Sequence, residues 1–110
     1  MKVNELASFE GFSVVSMPDG DREISHVYIG DLLSWVMGRA KQNDAWITIM
    51  SNINIIAVAS LADVSCIILA EGVKLDHAIA QTAAAKGVNI LTCGKPAYEV
   101  ATLLHSELGV

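Results

Sequence analysis

The chain is short of charge and of aromatic side chains. Charged residues make up 17% of its 110 residues and aromatic residues 5%. Its seven basic residues, Lys2, Arg22, Arg39, Lys41, Lys74, Lys86 and Lys95, form no stripe, and the net charge is −5. That balance argues against nucleic acid and against an anionic membrane surface as partners. No apolar run approaches the ~20 residues that a bilayer span requires. Met1–Glu10 lacks the apolar centre of a signal peptide, so a cytoplasmic location is expected. There are two cysteines, Cys66 and Cys93. Without C-x-x-C spacing they read as buried thiols of a reducing compartment, with a redox pair the minor alternative. His26, His77 and His105 lie on three separate segments, and no pair shares a helix face, so no metal centre is expected. Asp19, Asp21 and Glu23 are too few and too irregularly spaced for a calcium loop.

Apolar residues, at 53%, are in excess instead. One domain of this size leaves much of its surface in water. A second apolar face therefore needs covering, and a homodimer is expected. Three runs dominate: Trp46–Met50, Cys66–Ala70 and Asn89–Cys93. Each reads as a strand buried on both faces, and each precedes a helical stretch. That alternation predicts an α/β fold, a single small domain over residues 1–110 with a mainly parallel sheet and helices on both faces.

The remaining elements follow from local signals. Residues 3–10 read as a helix capped by Asn4. Phe12–Met17 and Ile24–Ile29 read as strands around the turn Pro18-Asp19-Gly20-Asp21, a hairpin-like N-terminal edge-strand pair. Asp31 is placed to cap a helix running to about Lys41. Its apolar residues cover more than one face, which suits either sheet packing or a subunit interface. Ser51–Ala62 mixes β-branched residues with alanine. It reads as helix because two parallel strands need a crossover, with Ser51 or Asn52 as its cap. Leu75–Lys86 is an alanine-rich helix stopped by Gly87. Pro96 opens a last helix through Leu108.

Ligands of parallel sheets gather at the carboxyl ends of the strands. Candidate ligand-binding residues there are Thr48, Ser51, Asn52, Glu71, Gly72, Gly94 and Lys95. No catalytic set accompanies them. Gly94-Lys95-Pro96 lacks the upstream glycine and the following Ser or Thr of a phosphate loop. Cys93 has no oxyanion-hole motif beside it. A small kinase or phosphotransferase is disfavoured by the absent phosphate loop and the absent acid–base pair, and no cofactor is implied. Trp35 and Trp46 read as core or interface residues, with stacking on an adenine ring the sharper alternative.

The stretch from Val27 to Leu108 resembles the DRTGG domain family. The likeness is carried by Tyr28-Ile29-Gly30-Asp31-Leu32-Leu33, Trp46-Ile47-Thr48-Ile49, Asn54-Ile55 with Ala57-Val58-Ala59, and Cys66-Ile67-Ile68-Leu69 with Gly72. Lys86-Gly87-Val88-Asn89-Ile90-Leu91 and Tyr98-Glu99 complete it. The resemblance implies a non-catalytic regulatory domain, dimer-forming and in some relatives linked to adenine nucleotides. Similar domains are attached to CBS-domain pyrophosphatases and phosphotransacetylases, and the N-terminal part of HPr kinases is similar in fold. This chain looks like a stand-alone version. The implied partners are a second copy, a small molecule such as AMP or ATP, or a larger enzyme on which a ligand-free version would dock. The family's Asp-Arg pair falls on Ser51 and Asn52, and its Thr-Gly-Gly run on Ala70, Glu71 and Gly72. Only Gly72 keeps the motif. Asn52 cannot replace the bidentate anion donor that Arg provides.

Overall fold

A computed structural model describes all 110 residues. The elements are α1 (Val3–Ala7), β1 (Phe12–Ser16), β2 (His26–Ile29), α2 (Leu33–Arg39), β3 (Asp44–Thr48), α3 (Asn54–Ala62), β4 (Cys66–Leu69), α4 (His77–Ala85), β5 (Ile90–Cys93) and α5 (Ala97–Leu108). The five strands form one sheet in the order β1-β5-β4-β3-β2. β2 through β5 are parallel, and β1 runs antiparallel to β5.

Every residue of β3 and β4 is buried, as the unbroken apolar runs require. Alternate side chains serve two cores. Ala45, Ile47, Cys66, Ile68, Leu91 and Cys93 pack with Val3 and Leu6 of α1 and Val100 and Leu104 of α5. Trp46, Ile67, Leu69 and Ile90 pack with Val36 of α2, Ile55 and Val58 of α3 and Ala83 of α4. The strands from β2 to β5 add in one direction across the sheet. Crossovers of a single hand then place α2, α3 and α4 together on one face. The expected α/β class, mainly parallel sheet and helices on both faces are all present.

The N-terminal strands differ from expectation. β1 and β2 are both edge strands, but at opposite edges, and do not form a hairpin. The turn at Pro18–Asp21 is real, yet the chain beyond it crosses the end of the sheet instead of folding back. Asn89 holds that turn: its side-chain amide donates to Asp19 O at 2.8 Å and its Oδ1 accepts from Asp19 N at 3.0 Å. Tertiary bonding has overridden a local hairpin signal.

Three caps also differ. Asn4 lies inside α1, where Glu5 Oε1 accepts the Lys2 N–H at 3.0 Å and caps the helix in its place. Asp31 does not cap α2, which starts at Leu33 without a side-chain cap. Pro96 stands one residue before α5 rather than in its first turn. Asp76 does cap α4, accepting from Ala78 N at 2.9 Å. β3 begins and ends two residues before the reading of Trp46–Met50. Asp44 is admitted to it because its Oδ2 accepts the Lys41 N–H at 2.8 Å, closing the turn that leads in.

Both cysteines are free and buried on the α1/α5 face. Burial pushes the Cys66 thiol from 9.0 up to about 12, against the opposing pull of the Arg22 guanidinium. Below pH 9 the thiol is neutral in both folded and unfolded chains. Between about pH 9 and 12 only the unfolded chain ionises. The unfolding free energy should then fall by about 1.4 kcal/mol per pH unit through this group. Urea titrations of the native chain and Cys66→Ala across that range should converge as pH rises. Curves that stay parallel would show that the Cys66 thiol ionises alike in the folded and unfolded chains.

Candidate functional site

The carboxyl ends of β2 to β5 lie along one rim of the sheet, and the loops after them are tied to one another. Asp31, in the loop after β2, reaches the end of β3. Its Oδ1 accepts from Thr48 Oγ1 at 2.8 Å and from Ile49 N at 3.0 Å. Thr48 Oγ1 in turn accepts from Met50 N at 3.2 Å. Ala70 N donates to Thr48 O at 3.0 Å, joining the ends of β4 and β3. Glu71 N donates to Lys95 O at 2.9 Å and Gly72 N to Cys93 O at 3.1 Å, joining β4 to the loop after β5.

The seven candidate residues therefore share one rim, in varied states. Thr48 is buried, and its hydroxyl already donates to Asp31 and accepts from Met50. Ser51, Asn52, Glu71, Gly94 and Lys95 are exposed. Asn52 Oδ1 accepts from Asn54 N at 2.9 Å and so turns the chain into α3, but the N-cap position is Ile53, which has no side-chain cap, and not Ser51 or Asn52. The amides of Glu71 and Gly72 point inward to β5, and Val73 N donates to Ala70 O at 3.2 Å. These amides cannot also form a nest around an anion. None of the seven residues lines any of the three surface cavities.

Two features escaped the sequence. One is Asp31, which resembles a helix cap locally but acts as the tie across the rim. Only knowledge of the parallel pairing of β2 with β3 would have revealed that role. The other is the apolar set at the β2 and β3 end of the rim: Ile29, Leu32, Trp35, Ile49 and Ile53 are each about half exposed, and of these only Leu32 and Trp35 belong to the helix stripe that the sequence offers as an interface. Trp35 lies under the Arg39 guanidinium, 3.8 Å from carbon to ring centroid. Trp46 is fully buried, with Nε1 donating to Gly30 O at 2.8 Å. Of the two indoles, Trp46 is thus closed to any ligand.

Glu71 occupies the left-handed region with φ +62°, followed by Gly72 at +71°. A side chain there costs roughly 1–2 kcal/mol. The consecutive left-handed residues account for a Gly-Gly pair being suited to this loop. Glu71→Gly should raise stability by about 1 kcal/mol, read as a higher urea midpoint at unchanged slope. A fall in the midpoint would mean that the Glu71 side chain makes a compensating contact.

No helix is long and apolar enough to cross a membrane. No three His, Cys, Asp or Glu side chains converge as metal ligands would.

The model of the DRTGG domain family matches residues 5–106, taking in the end of α1 and all of β1 as well as the parallel strands. No curated protein sequence matches the chain. A solved structure with a similar fold contains the CBS and DRTGG domains of the regulatory region of Clostridium perfringens pyrophosphatase, complexed with its activator diadenosine tetraphosphate. It superposes with a TM-score of 0.72 at 13% sequence identity. The likeness covers 94% of this chain and 45% of that one, so the chain spans less than half of its length.

Proposed function

The chain belongs to the DRTGG domain family, and from that premise we propose that it is a non-catalytic regulatory module. It acts in the cytoplasm as a homodimer and responds to a small metabolite, an adenine nucleotide such as AMP or ATP. The carrying observation is the half-exposed apolar set Ile29, Leu32, Trp35, Ile49 and Ile53 beside an otherwise polar rim. A fully buried aliphatic side chain contributes about 1.5–3 kcal/mol. Five large side chains, each half exposed, are thus enough to form the apolar centre of a standard interface of about 800 Å² per partner. None of the seven candidate residues lines a cavity, and a second copy laid across them would enclose Ser51, Asn52, Glu71, Gly72, Gly94 and Lys95, with Thr48 buried beneath. A ligand held there would bind one dimer arrangement better than another and shift the population accordingly.

Sedimentation at micromolar concentration should give a dimer for the native chain and a monomer for Leu32→Glu. Melting should then be followed with AMP, ATP and diadenosine tetraphosphate. A ligand at 100 times its dissociation constant stabilises the native state by about 2.7 kcal/mol. A response suppressed by Asn52→Ala or Lys95→Ala supports a sensor with its site at the rim. A native chain that sediments as a monomer and responds to none of the three defeats the proposal.

A second reading is favoured by the inward-pointing amides of Glu71 and Gly72 and by Asn52 at the family's Arg position. In it the module binds no small molecule and docks on a larger enzyme. Retention of a stoichiometric partner, with no shift from any nucleotide, selects it.

A further inference from the structure

A cleft of about 350 Å³ lies beside the open edge of β2, between the start of that strand and the chain leaving α2. It is lined by His26 and Tyr28 of β2 and by Arg39, Lys41, Gln42 and Asp44. Cations concentrate here in a chain whose net charge is −5. The ion pairs of the protein engage the amino terminus, Lys2 and Arg22, leaving Arg39 and Lys41 without a carboxylate partner. Attraction to the carboxyl end of α2 accounts for Arg39 alone. It does not account for Lys41, which lies beyond the helix.

The Arg39 guanidinium is also pre-set. Its carbon sits 3.8 Å from the Trp35 ring centroid, a cation–π contact that restrains the head group while its N–H donors remain available to an oxyanion. Asp44 is the one carboxylate in the wall, and its Oδ2 already accepts the Lys41 main-chain N–H. Gln42 Nε2 donates to Asp63 at 2.9 Å, so it braces the wall rather than facing an incoming anion. His26 Nδ1 is 3.3 Å from Val27 O, and its Nε2 is unengaged.

We propose that this cleft binds the phosphoryl group of a small phosphometabolite. Arg39 takes two of its oxygens through the guanidinium fork, and Lys41 and His26 take the others. The site is distinct from the sheet rim: the rim amides are committed to main-chain carbonyls, whereas the cleft's cations are free. It does not depend on nucleotide sensing at the rim; because Arg39 lies on Trp35, a member of the apolar set assigned to the second copy, binding is measured in the Leu32→Glu monomer as well as in the native chain.

The test uses inorganic pyrophosphate as the probe, at constant ionic strength. With Trp46 buried, the fluorescence of Trp35 reports on Arg39. Pyrophosphate should change it saturably, and Trp35→Phe should remove the change. Calorimetry should give an affinity at least about tenfold weaker in Arg39→Ala and in Lys41→Ala. Arg39→Lys should also weaken it, because a lysine keeps the charge and loses the fork. Lys74→Ala, an exposed cation outside both the cleft and the rim, should match the native chain. All these variants change exposed side chains, and unaltered melting confirms that they fold. Binding retained in Leu32→Glu would leave the cleft standing even if the dimer proposal fails. The absence of saturable binding overturns the inference, as does binding that survives in the Arg39→Ala/Lys41→Ala double variant.

Discussion

Trp46→Ala is expected to lower the unfolding free energy by about 3–5 kcal/mol, the range for removing a large aromatic side chain from a core. Trp46 is fully buried among Val36, Ile55, Ile67 and Leu69, where α2 and α3 meet the sheet. The substitution opens a cavity that these β-branched and leucine neighbours cannot refill without leaving their rotamers. It also deprives Gly30 O of its donor, a further cost of about 1–3 kcal/mol if no water reaches it. Small domains are stable by only about 5–15 kcal/mol in total. The variant should therefore unfold at low urea or fail to fold at all. Trp46→Phe separates the two contributions, because it keeps most of the volume and loses the hydrogen bond. It should cost about 2 kcal/mol. An alanine variant within about 1 kcal/mol of the native chain would mean that the core is not built around this ring.

Asn89→Ala should cost about 3 kcal/mol, an unusual amount for so small a change. Asn89 is 2% exposed and makes three hydrogen bonds, two to Asp19 and one from Nδ2 to Ser65 O at 2.9 Å. Alanine satisfies none of them. Ser65 O stays buried and unpaired, and a buried carbonyl without a donor costs about 1–3 kcal/mol. The Asp19 groups regain water only if the turn lifts off the sheet. The loss should therefore be local as well as global: hydrogen exchange at the Asp19 amide should quicken more than exchange in β3. Equal acceleration everywhere would show that the turn is not separately held by Asn89.

The parallel sheet was legible because strands buried on both faces read as unbroken apolar runs, and Cys66–Leu69 lies inside such a run. Ser51–Ala62 was ambiguous in its residues. It was resolved as helix only by the topological need for a crossover, a global constraint acting on a local choice. The hairpin was misread because Pro18–Asp21 is a good turn in isolation, and nothing nearby in the chain announces that Asn89, seventy residues on, will hold it. Asp31 was misassigned for the same reason. An aspartate two residues before a helix looks like a cap, and its bond to Thr48 depends on strand pairing. The rim itself was legible from fold class alone. That its amides are spent on main-chain carbonyls was not, since this depends on how the left-handed turn at Glu71 and Gly72 meets β5.

The antiparallel β1 has a kinetic consequence. Phe12 pairs with Cys93, whereas the strands from β2 to β5 each pair with the next along the chain. Pairings between distant residues carry the larger loop-closure entropy and form slowly. The four parallel strands can assemble as successive β-α-β units while β1 waits. On the ribosome, β1 emerges first and finds its partner last. For that interval the outer edge of β5 is open, and Val14, half exposed even in the finished fold, travels on an unpaired strand. The interval between synthesis of β1 and its docking is thus when this chain is most exposed to aggregation or to exchanging that strand with a neighbour.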